Sequence, residues 1–299
     1  MELPDFIFQA EENLVEKAWG GNWIANLKNL KINKRIGESW EFSAHPSRPS
    51  YVNINGGKIN LIDLVKKAKD EILGELKTDT IPILVKLLDI RTRISVQVHP
   101  SDHVAKMLGE TDVGKDEAWM VIGKGKVYIG FKEDISVEDL QDNKIIEKIN
   151  KIEAGHLDTF YIPAGIIHFA EEVKLFEVST NSDLTYRIYD FSGRGTHIEK
   201  ALKALKMKKT SLKDIKDEKG KIITDKFEAK TVEVKGEVEF EINTFNIILA
   251  LEAPLTLKSK REVTNLRKGY SCLIPAKTGR YSVEGNTKFI HVCAGEFYL

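Results

Sequence analysis

Short apolar segments, each only a few residues long, dominate the hydrophobic pattern of this chain. The clearest of them are rich in β-branched and aromatic residues and lie at 94–98, 118–131, 159–164, 175–179 and 185–191. Such segments are typical of β-strands, and the Gly123-Lys124-Gly125 tripeptide inside the second one is typical of a hairpin turn. Strands at this spacing favour an antiparallel sandwich or barrel over a parallel sheet with crossover helices.

Helical spacing occurs in three other segments. In 61–76 the apolar residues recur at intervals of three and four, as on one face of an amphipathic helix. Residues 136–149 begin with a capping-box pattern at Ser136 and Asp139, and a second such pattern precedes the apolar residues of 201–205 at Thr196 and Glu199. We therefore expect three helices within a mainly β chain.

A charged segment at 207–221 separates two β-rich parts of the chain. It has few large apolar residues, which is typical of a linker or an exposed connection. A length of 299 residues is compatible with two domains. We expect residues 1–215 to form a first domain with helical insertions and residues 216–299 to form a smaller β domain.

Composition limits the classes of function. Hydrophobic residues make up 42% of the chain and charged residues 30%, so a buried core is feasible. Forty-five basic and forty-five acidic residues cancel, which argues against a general nucleic-acid binder but allows one local basic pocket.

The chain has no apolar run long enough for a transmembrane helix, and its acidic start does not resemble a signal peptide. Cys272 and Cys293 lie in apolar, strand-like segments, so we expect reduced, buried thiols; a disulfide between neighbouring strands is the alternative. Together these features predict a cytoplasmic protein without a membrane or nucleic-acid partner. They do not predict its oligomeric state.

Candidate chemistry begins in the segment 94–100. Side chains alternate between the faces of a strand, so Ser95, Gln97 and His99 would share one face while the apolar residues between them pack into the core. Pro100 ends the strand because it lacks the donor for another ladder position. An amide oxygen and an imidazole on one face can bind the same metal ion. A surface amide beside a half-exposed histidine is the alternative.

Two further residues favour a metal site. Glu117 is a carboxylate at the head of an otherwise apolar strand, and His168 follows a Pro-Ala-Gly turn and lies between Ile167 and Phe169. Both side chains require a partner if they are buried. A glutamine, two histidines and a glutamate form a nitrogen and oxygen ligand set that suits Zn²⁺, with Mn²⁺, Co²⁺ and Fe²⁺ as alternatives.

The motifs QVHP, GKxE, PAGxxH and SDxTYRxYD follow one another in an order that resembles type I phosphomannose isomerases, which are metal-dependent enzymes of the cupin superfamily. Further similar blocks are WGG at 19–21, GESWEFSAH at 37–45, PILVKLLDIRTRISVQVHP at 82–100, HIEKAL at 197–202 and LIPA at 273–276. The resemblance implies a cupin-type antiparallel β-barrel as the metal-binding catalytic domain. It also implies a smaller, metal-free cupin-like β domain at the C-terminus.

Matching motif by motif, the resemblance implies metal ligands at Gln97, His99, Glu117 and His168. It implies an arginine near the reacting carbons at Arg187 and an active-site lysine at Lys115. Ser95 and Arg194 fall near phosphate-binding positions, and Glu177 and Asp183 fall at acidic positions upstream of the arginine.

The implied reaction is the interconversion of mannose 6-phosphate and fructose 6-phosphate, with one Zn²⁺ per chain. Removing a proton beside a carbonyl requires a base and a cation that stabilises the developing enediolate. Glu177 is our first candidate for the base, and its alternative role is an ion pair that orients Arg187. Lys115 could act as the base only if its pKa were depressed.

Two other functions remain open at this point. One is a different cupin metalloenzyme, either another sugar-phosphate isomerase or an Fe²⁺-dependent oxygenase. The other is a non-catalytic sugar-binding module. The remaining histidines that we considered show no ligand spacing and are interpreted as structural or exposed: His45, His103, His156, His197 and His291. Trp19 and Trp40 are expected in the core or in a wall of the site.

Overall fold

The computed structural model describes residues 7–54, 56–141 and 143–299, and most of its regular structure is β. Its strands are β1 (Phe8–Gln9), β2 (Leu14–Gly21), β3 (Ile36–Phe42), β4 (Tyr51–Ile54), β5 (Gly57–Asn60), β6 (Ile83–Arg93), β7 (Val96–Val98), β8 (Glu117–Val121), β9 (Gly125–Phe131), β10 (Ile149–Ala154), β11 (Thr159–Ile162), β12 (His168–Thr180), β13 (Tyr186–Tyr189), β14 (Lys216–Asp217), β15 (Lys221–Ile223), β16 (Phe227–Glu241), β17 (Asn246–Leu249), β18 (Leu255–Ser259), β19 (Val263–Leu266), β20 (Ser271–Ile274) and β21 (Arg280–Ala294).

The helices are short. The α-helices are α1 (Trp23–Leu27), α2 (Leu61–Lys67), α3 (Lys69–Leu73), α4 (Asp102–Met107) and α5 (Ile198–Ala204). Short 3₁₀ helices cover Glu138–Gln141, Asn143–Lys148, Leu212–Asp214, Ala276–Thr278 and Glu296–Tyr298. No helix among the described residues has both the length and the apolar character needed to cross a membrane.

The first sheet has eleven strands and forms a nearly closed antiparallel barrel, as expected for a cupin-type fold. Its longest strand, β12, pairs with β6, β7, β8 and β9. The register shifts at a bulge between Glu171 and Val173, where Glu172 has a φ of 48°. This bulge curves β12, because bulges bend the strands that contain them. Curvature allows both ends of the strand to face one site.

The second sheet has eight strands, and its central pair joins β16 to β21 along their whole length. One face of this sheet packs against the barrel, where Phe176 and Val178 of β12 share an apolar core with Ile290 and Val292 of β21. Glu177 lies between Phe176 and Val178 in the chain. Its side chain therefore points to the opposite face of the sheet, into the barrel.

The predicted helix at 61–76 is two helices in the structure. It breaks at Ala68, whose backbone is not helical (φ −147°, ψ 48°), and the second helix ends at Gly74. Gly74 has a positive φ of 62°, and a side chain there would collide with the backbone oxygen of Asn243. The contact with the second sheet therefore determines where the helix ends, and the spacing pattern did not reveal it.

The other two helix predictions were also partly wrong. Residues 136–149 form two 3₁₀ turns and the start of β10, with residue 142 outside the described residues. The buried anchors Leu140 and Ile145 are five apart, which does not fit one face of an α-helix. The third helix begins after His197 rather than after Thr196, and its N-cap forms no side-chain hydrogen bond.

The segment predicted as a linker is attached to the barrel. Within 207–221, β14 pairs with β11, and Lys209 forms an isolated bridge with Phe131. The proposed boundary between residues 215 and 216 stays a prediction. The chain crosses between the two sheets twice. It passes from the second sheet to the first after β1, which pairs with β20, and it returns to the second sheet after β14, which pairs with β11 of the first sheet.

Both cysteines are free thiols, as predicted. Cys272 and Cys293 lie on opposite sides of β17, paired with Ile248 and Asn246 respectively. The two strand spacings alone separate their Cα atoms by at least about 9–10 Å, which exceeds the separation that a disulfide can bridge.

Candidate active site

Strand pairing assembles the site inside the barrel. Gln97 in β7 pairs with His168 at the start of β12 on one side and with Arg187 in β13 on the other. Near the other end of β12, Glu177 pairs with Trp119 of β8 and with Lys86 of β6. The apolar residues at 94, 96 and 98 lie in the barrel core, in agreement with the alternation expected from the sequence.

Three of the four candidate metal ligands converge on one point. Glu117 Oε1 lies 3.1 Å from His168 Nε2, and Glu117 Oε2 lies 3.2 Å from His99 Nε2. The three side chains are buried, and their ligand atoms all lie within 4.8 Å of one another. His99 Nε2 and Glu117 Oε1 have no hydrogen-bond partner among the described residues, and the close contact of Glu117 Oε2 is its ion pair with Lys115. Buried polar atoms are rarely left in this state, so the group fits a bound cation.

Backbone carbonyls fix both imidazole rings. His99 Nδ1 donates a hydrogen bond to Leu184 O at 2.6 Å, and His168 Nδ1 donates to Ile166 O at 2.9 Å. A neutral imidazole that carries its proton on Nδ1 presents a lone pair on Nε2. Donation from the second ring nitrogen to a carbonyl is the usual support for a metal-binding histidine. Both rings are therefore held with Nε2 facing Glu117.

The charge state of this group suits metal binding as well. Burial lowers the pKa of His99 to about 4, so its ring is neutral at pH 7. Burial alone would raise the pKa of Glu117, but the adjacent Lys115 and the two histidines lower it well below its usual value. At neutral pH the group therefore offers the neutral ring of His99 and the carboxylate of Glu117.

Gln97 is next to this group, with its amide oriented differently from the expectation. Its Nε2 lies 3.1 Å from His168 Nε2, while its Oε1 accepts a hydrogen bond from Ser95 Oγ at 3.0 Å. Rotation of the amide exchanges these two atoms, since both ends of a glutamine amide can form hydrogen bonds. Ser95 thus contacts a candidate ligand directly, in addition to its position in the wall of the cleft.

A row of alternating charges runs from the metal group along the barrel. Lys115 Nζ lies 2.7 Å from Glu117 Oε2 and 3.1 Å from Glu177 Oε1. Lys86 lies 3.8 Å from Glu177 and 3.3 Å from Asp183. Although burial lowers it, the pKa of Lys115 is raised overall by Glu117 and Glu177. Lys115 therefore lacks the depressed pKa that a catalytic base would need.

The partners of Glu177 differ from the alternative role considered for it. Its ion pairs join Lys86 and Lys115, and its Oε2 accepts a hydrogen bond from Trp119 Nε1 at 3.4 Å. Arg187 instead donates from Nε to Gly195 O at 2.9 Å, and its second nitrogen lies 3.2 Å from His197 Nε2. Among the described contacts, Glu177 is not the group that orients this arginine.

Arg194 differs from Arg187 in its electrostatic environment. Two of its nitrogens bind Asp190 Oδ2, at 2.9 and 2.7 Å. Burial opposes ionisation of Asp190, but hydrogen bonds from Arg194 and Ser192 lower its pKa far below the usual range. Arg194 is thus neutralised by a carboxylate, whereas the groups that hold Arg187 carry no negative charge.

These residues surround a cleft of about 170 Å³ beside the metal group. Five cationic and three acidic side chains line it: Lys17, Lys86, Lys115, Arg187, Arg194, Glu38, Glu177 and Asp183. The excess of cations produces a local basic pocket in a chain without net charge. Such a pocket favours an anionic ligand.

Comparison with known proteins identifies the family. A family model for the phosphomannose isomerase type I catalytic domain matches residues 7–118, and one for the mannose-6-phosphate isomerase cupin domain matches residues 218–294. YvyI of Bacillus subtilis, assigned as a mannose-6-phosphate isomerase, is 30% identical over 92% of this chain and 95% of its own length. The chain belongs to the type I phosphomannose isomerase family. It is therefore an enzyme of the mannose-6-phosphate isomerase class.

Solved structures support the same family. A structure from Archaeoglobus fulgidus, assigned as a mannosephosphate isomerase, is 42% identical, has a TM-score of 0.92 and covers 99% of both chains. The mannose 6-phosphate isomerase of Bacillus subtilis is 26% identical, with a TM-score of 0.86, 96% of this chain covered and 99% of that one. The family is metal-dependent, and the group formed by His99, Glu117 and His168 is able to hold an ion.

Sequence reasoning missed several residues of this phosphomannose isomerase site. Lys86 is buried, and its Nζ lies 4.2 Å from the centre of the Trp40 ring. Its position in the apolar segment PILVKLLDI was a usable signal, because a lone charge in a buried strand requires partners. Burial opposes ionisation of Glu38, but Lys86 and Lys17 lower its pKa to about 2. His197 was interpreted as structural or exposed, yet it contacts Arg187.

The sequence also led to expectations for two tryptophans, one histidine and one aspartate outside the metal group. Trp40 is buried and Trp19 lines the cleft, as predicted. His291 is a buried core histidine whose Nε2 lies 3.0 Å from Asn246 Oδ1. Asp183 lines the cleft but is about half exposed, and it pairs with Lys86.

Proposed function

We propose that this enzyme is a Zn²⁺-dependent aldose–ketose isomerase that interconverts mannose 6-phosphate and fructose 6-phosphate through an enediol(ate). The observation that supports this proposal most strongly is the buried group of His99, Glu117 and His168, which lies directly behind Lys115 in the wall of a basic cleft. Family membership supports the substrate class, since the relatives named above are assigned as mannose-6-phosphate isomerases.

The donor set favours zinc. Two imidazole nitrogens and one carboxylate, with Gln97 beside them, form a set typical of catalytic zinc sites that keep one position open. No thiolate takes part, which is consistent with an exchangeable, catalytic ion. When bound there, the ion would supply Lewis-acid polarisation of a sugar oxygen. Lys115 then offsets part of the negative charge of Glu117 from the protein side, at 2.7 Å.

Glu177 is the residue best placed to move the proton. It is buried, it points into the barrel, and its Oε1 lies 3.8 Å from Lys86 Nζ and 3.1 Å from Lys115 Nζ. A carboxylate held by a lysine on each side and by Trp119 Nε1 has a fixed orientation toward the cleft. We propose that it transfers the proton between C1 and C2 of the sugar. The raised pKa of Lys115 makes that residue a poor alternative.

Arg187 would stabilise the negative charge that develops on the sugar oxygens. Its guanidinium is anchored by a backbone carbonyl and an imidazole, neither of which cancels its charge. Preorganised cations of this kind supply much of the rate enhancement in reactions that develop an oxyanion. Arg194 and Ser95 would bind the phosphate, as the resemblance implied, with the arginine contributing a charge-assisted hydrogen bond beside its pair with Asp190.

Incubation with mannose 6-phosphate in D₂O tests this function directly. We expect fructose 6-phosphate to form, with deuterium incorporated at C1 or C2, and chelation to stop both processes. Oxygen consumption with Fe²⁺ would instead indicate an oxygenase. Binding of the sugar without turnover, unaffected by chelation, would indicate a non-catalytic module. Turnover of another sugar phosphate in place of mannose 6-phosphate would reassign the substrate.

A further inference from the structure

Asp116 lies between the two residues of the GKDE motif that face the site, Lys115 and Glu117, and points away from them. Its Oδ1 accepts a hydrogen bond from the backbone N–H of Ala164 at 2.7 Å. Its own backbone N–H donates to Thr180 Oγ1 at 3.2 Å, and its carbonyl accepts from Thr180 N at 3.0 Å. The strand that carries Glu117 is thereby attached to the turn that precedes His168.

The turn at 163–166 contacts both candidate histidine ligands. Gly165 N donates to His99 O at 2.9 Å, and Ile166 O accepts the hydrogen bond from His168 Nδ1. A change in the position of this turn would therefore alter the orientation of both imidazoles. Through Ala164, Asp116 connects the turn to the backbone of Glu117. All three members of the metal group thus depend on the placement of this one carboxylate.

The second sheet supplies the counter-charge for Asp116. Lys226 immediately precedes β16, and its Nζ lies 2.7 Å from Asp116 Oδ2, with both side chains mostly shielded from solvent. Its backbone carbonyl accepts from Gly295 N at 3.0 Å, which attaches it to the end of β21. Burial lowers the pKa of Lys226, but the bond to Asp116 leaves that pKa above its usual value. Lys226 therefore carries its charge at neutral pH.

We propose that Lys226 is a positioning residue through which the second sheet supports the metal group, by holding Asp116 and with it the turn at 163–166. This inference rests on the proposed function, and it gives the metal-free sheet a role in metal retention. Outer partners of metal ligands typically contribute about 10–100-fold to metal affinity. Lys226 acts one contact further out than Asp116, so we expect an effect of about tenfold, at the lower end of that range.

The test is the Zn²⁺ dissociation constant of the full-length, metal-stripped protein, measured by competition with a chelating indicator. Lys226→Met removes the charge with little change of volume, and we expect about tenfold weaker binding. Lys226→Arg keeps the positive charge and should bind Zn²⁺ as tightly as the wild type. Asp116→Asn keeps an acceptor for Ala164 N but loses the ion pair. It should match Lys226→Met, and the double variant should be no weaker than either single one.

Lys28→Met is the matched control. Lys28 forms a deeper ion pair with Glu41 at 2.8 Å, and Glu41 also accepts a hydrogen bond from Ser271 of the second sheet. Lys28→Met should lower the melting temperature of the protein without changing its affinity for Zn²⁺. If Lys226→Met and Asp116→Asn bind Zn²⁺ as tightly as the wild type, or if Lys28→Met weakens Zn²⁺ binding equally, the inference about Lys226 is wrong. The proposed function is unaffected by either result. A wild-type protein that binds no Zn²⁺ would overturn the proposed function itself.

Discussion

Two arginines line the same cleft, but within the described part of the chain only Arg194 is paired directly with a carboxylate. Arg194 binds Asp190 through two nitrogens, whereas Arg187 is held by Gly195 O and His197. A charge that is not already neutralised interacts more strongly with a developing enediolate. Arg187→Ala should therefore reduce the rate of the chemical step, and Arg194→Ala should chiefly weaken binding of the substrate.

The expected magnitudes follow from this difference. An uncompensated charge about 4 Å from a developing anion, at an effective dielectric constant of about 20, is worth roughly 4 kcal/mol. Loss of one preorganised oxyanion-stabilising group typically lowers kcat by about 10²–10³, which agrees with that figure. Asp190 already neutralises much of the charge of Arg194. Removal of the Arg194 side chain should therefore raise KM by about tenfold, as for the loss of one charge-assisted hydrogen bond.

The assay is steady-state isomerisation of mannose 6-phosphate, with kcat and KM determined separately and the bound metal quantified in each variant. Arg187→Ala should retain its metal and lose kcat, while Arg194→Ala should retain kcat within about threefold. A change confined to KM in Arg187→Ala would make that residue a binding group. Equal losses of kcat in both variants would show that pairing with Asp190 does not distinguish the two arginines.

Three further predictions concern the metal group, the base and acid stability. His99→Ala and His168→Ala should each lose bound metal by elemental analysis; metal retained at wild-type stoichiometry in both would place the ion elsewhere. Glu177→Gln should abolish exchange of the C1/C2 proton with solvent, and persistent exchange would assign the base to another group. Burial holds the pKa of His291 at about 4, below the 6.5 of an unfolded chain. The unfolded state therefore binds the proton first, so stability falls as pH drops from about 6.5 to about 4, by roughly 3 kcal/mol from this residue. His291→Gln should flatten that decline in urea titrations, and an unchanged slope would contradict the assignment.

Much of the site could be predicted because its chemistry lies in short motifs on strands. The alternation of Gln97 and His99 with apolar residues determined which side chains share a face, and the structure has both next to the metal group, with Gln97 also lining the cleft. The position of Glu177 between Phe176 and Val178 indicated its direction in the same way. In each case a local, period-two pattern carries the information, and tertiary packing does not override it.

Contacts between distant segments could not be predicted. Gly74 ends a helix because of Asn243 in the loop between β16 and β17 of the second sheet, and no local pattern contains that collision. His197 was interpreted as structural or exposed because its contact with Arg187 depends on the loop between them. The partners of Lys86 come from three separate strands or loops: Glu38, Glu177 and Asp183. From the sequence alone it could be inferred only that a lysine in this apolar segment needs charged or polar partners if it is buried.

A titration of the metal-stripped protein with Zn²⁺, followed by its turnover of mannose 6-phosphate, tests the central claim most directly. Activity should be absent at the start, rise in proportion to added metal and reach its plateau at one equivalent per chain. Full turnover before any metal is added would contradict a catalytic role for the group formed by His99, Glu117 and His168.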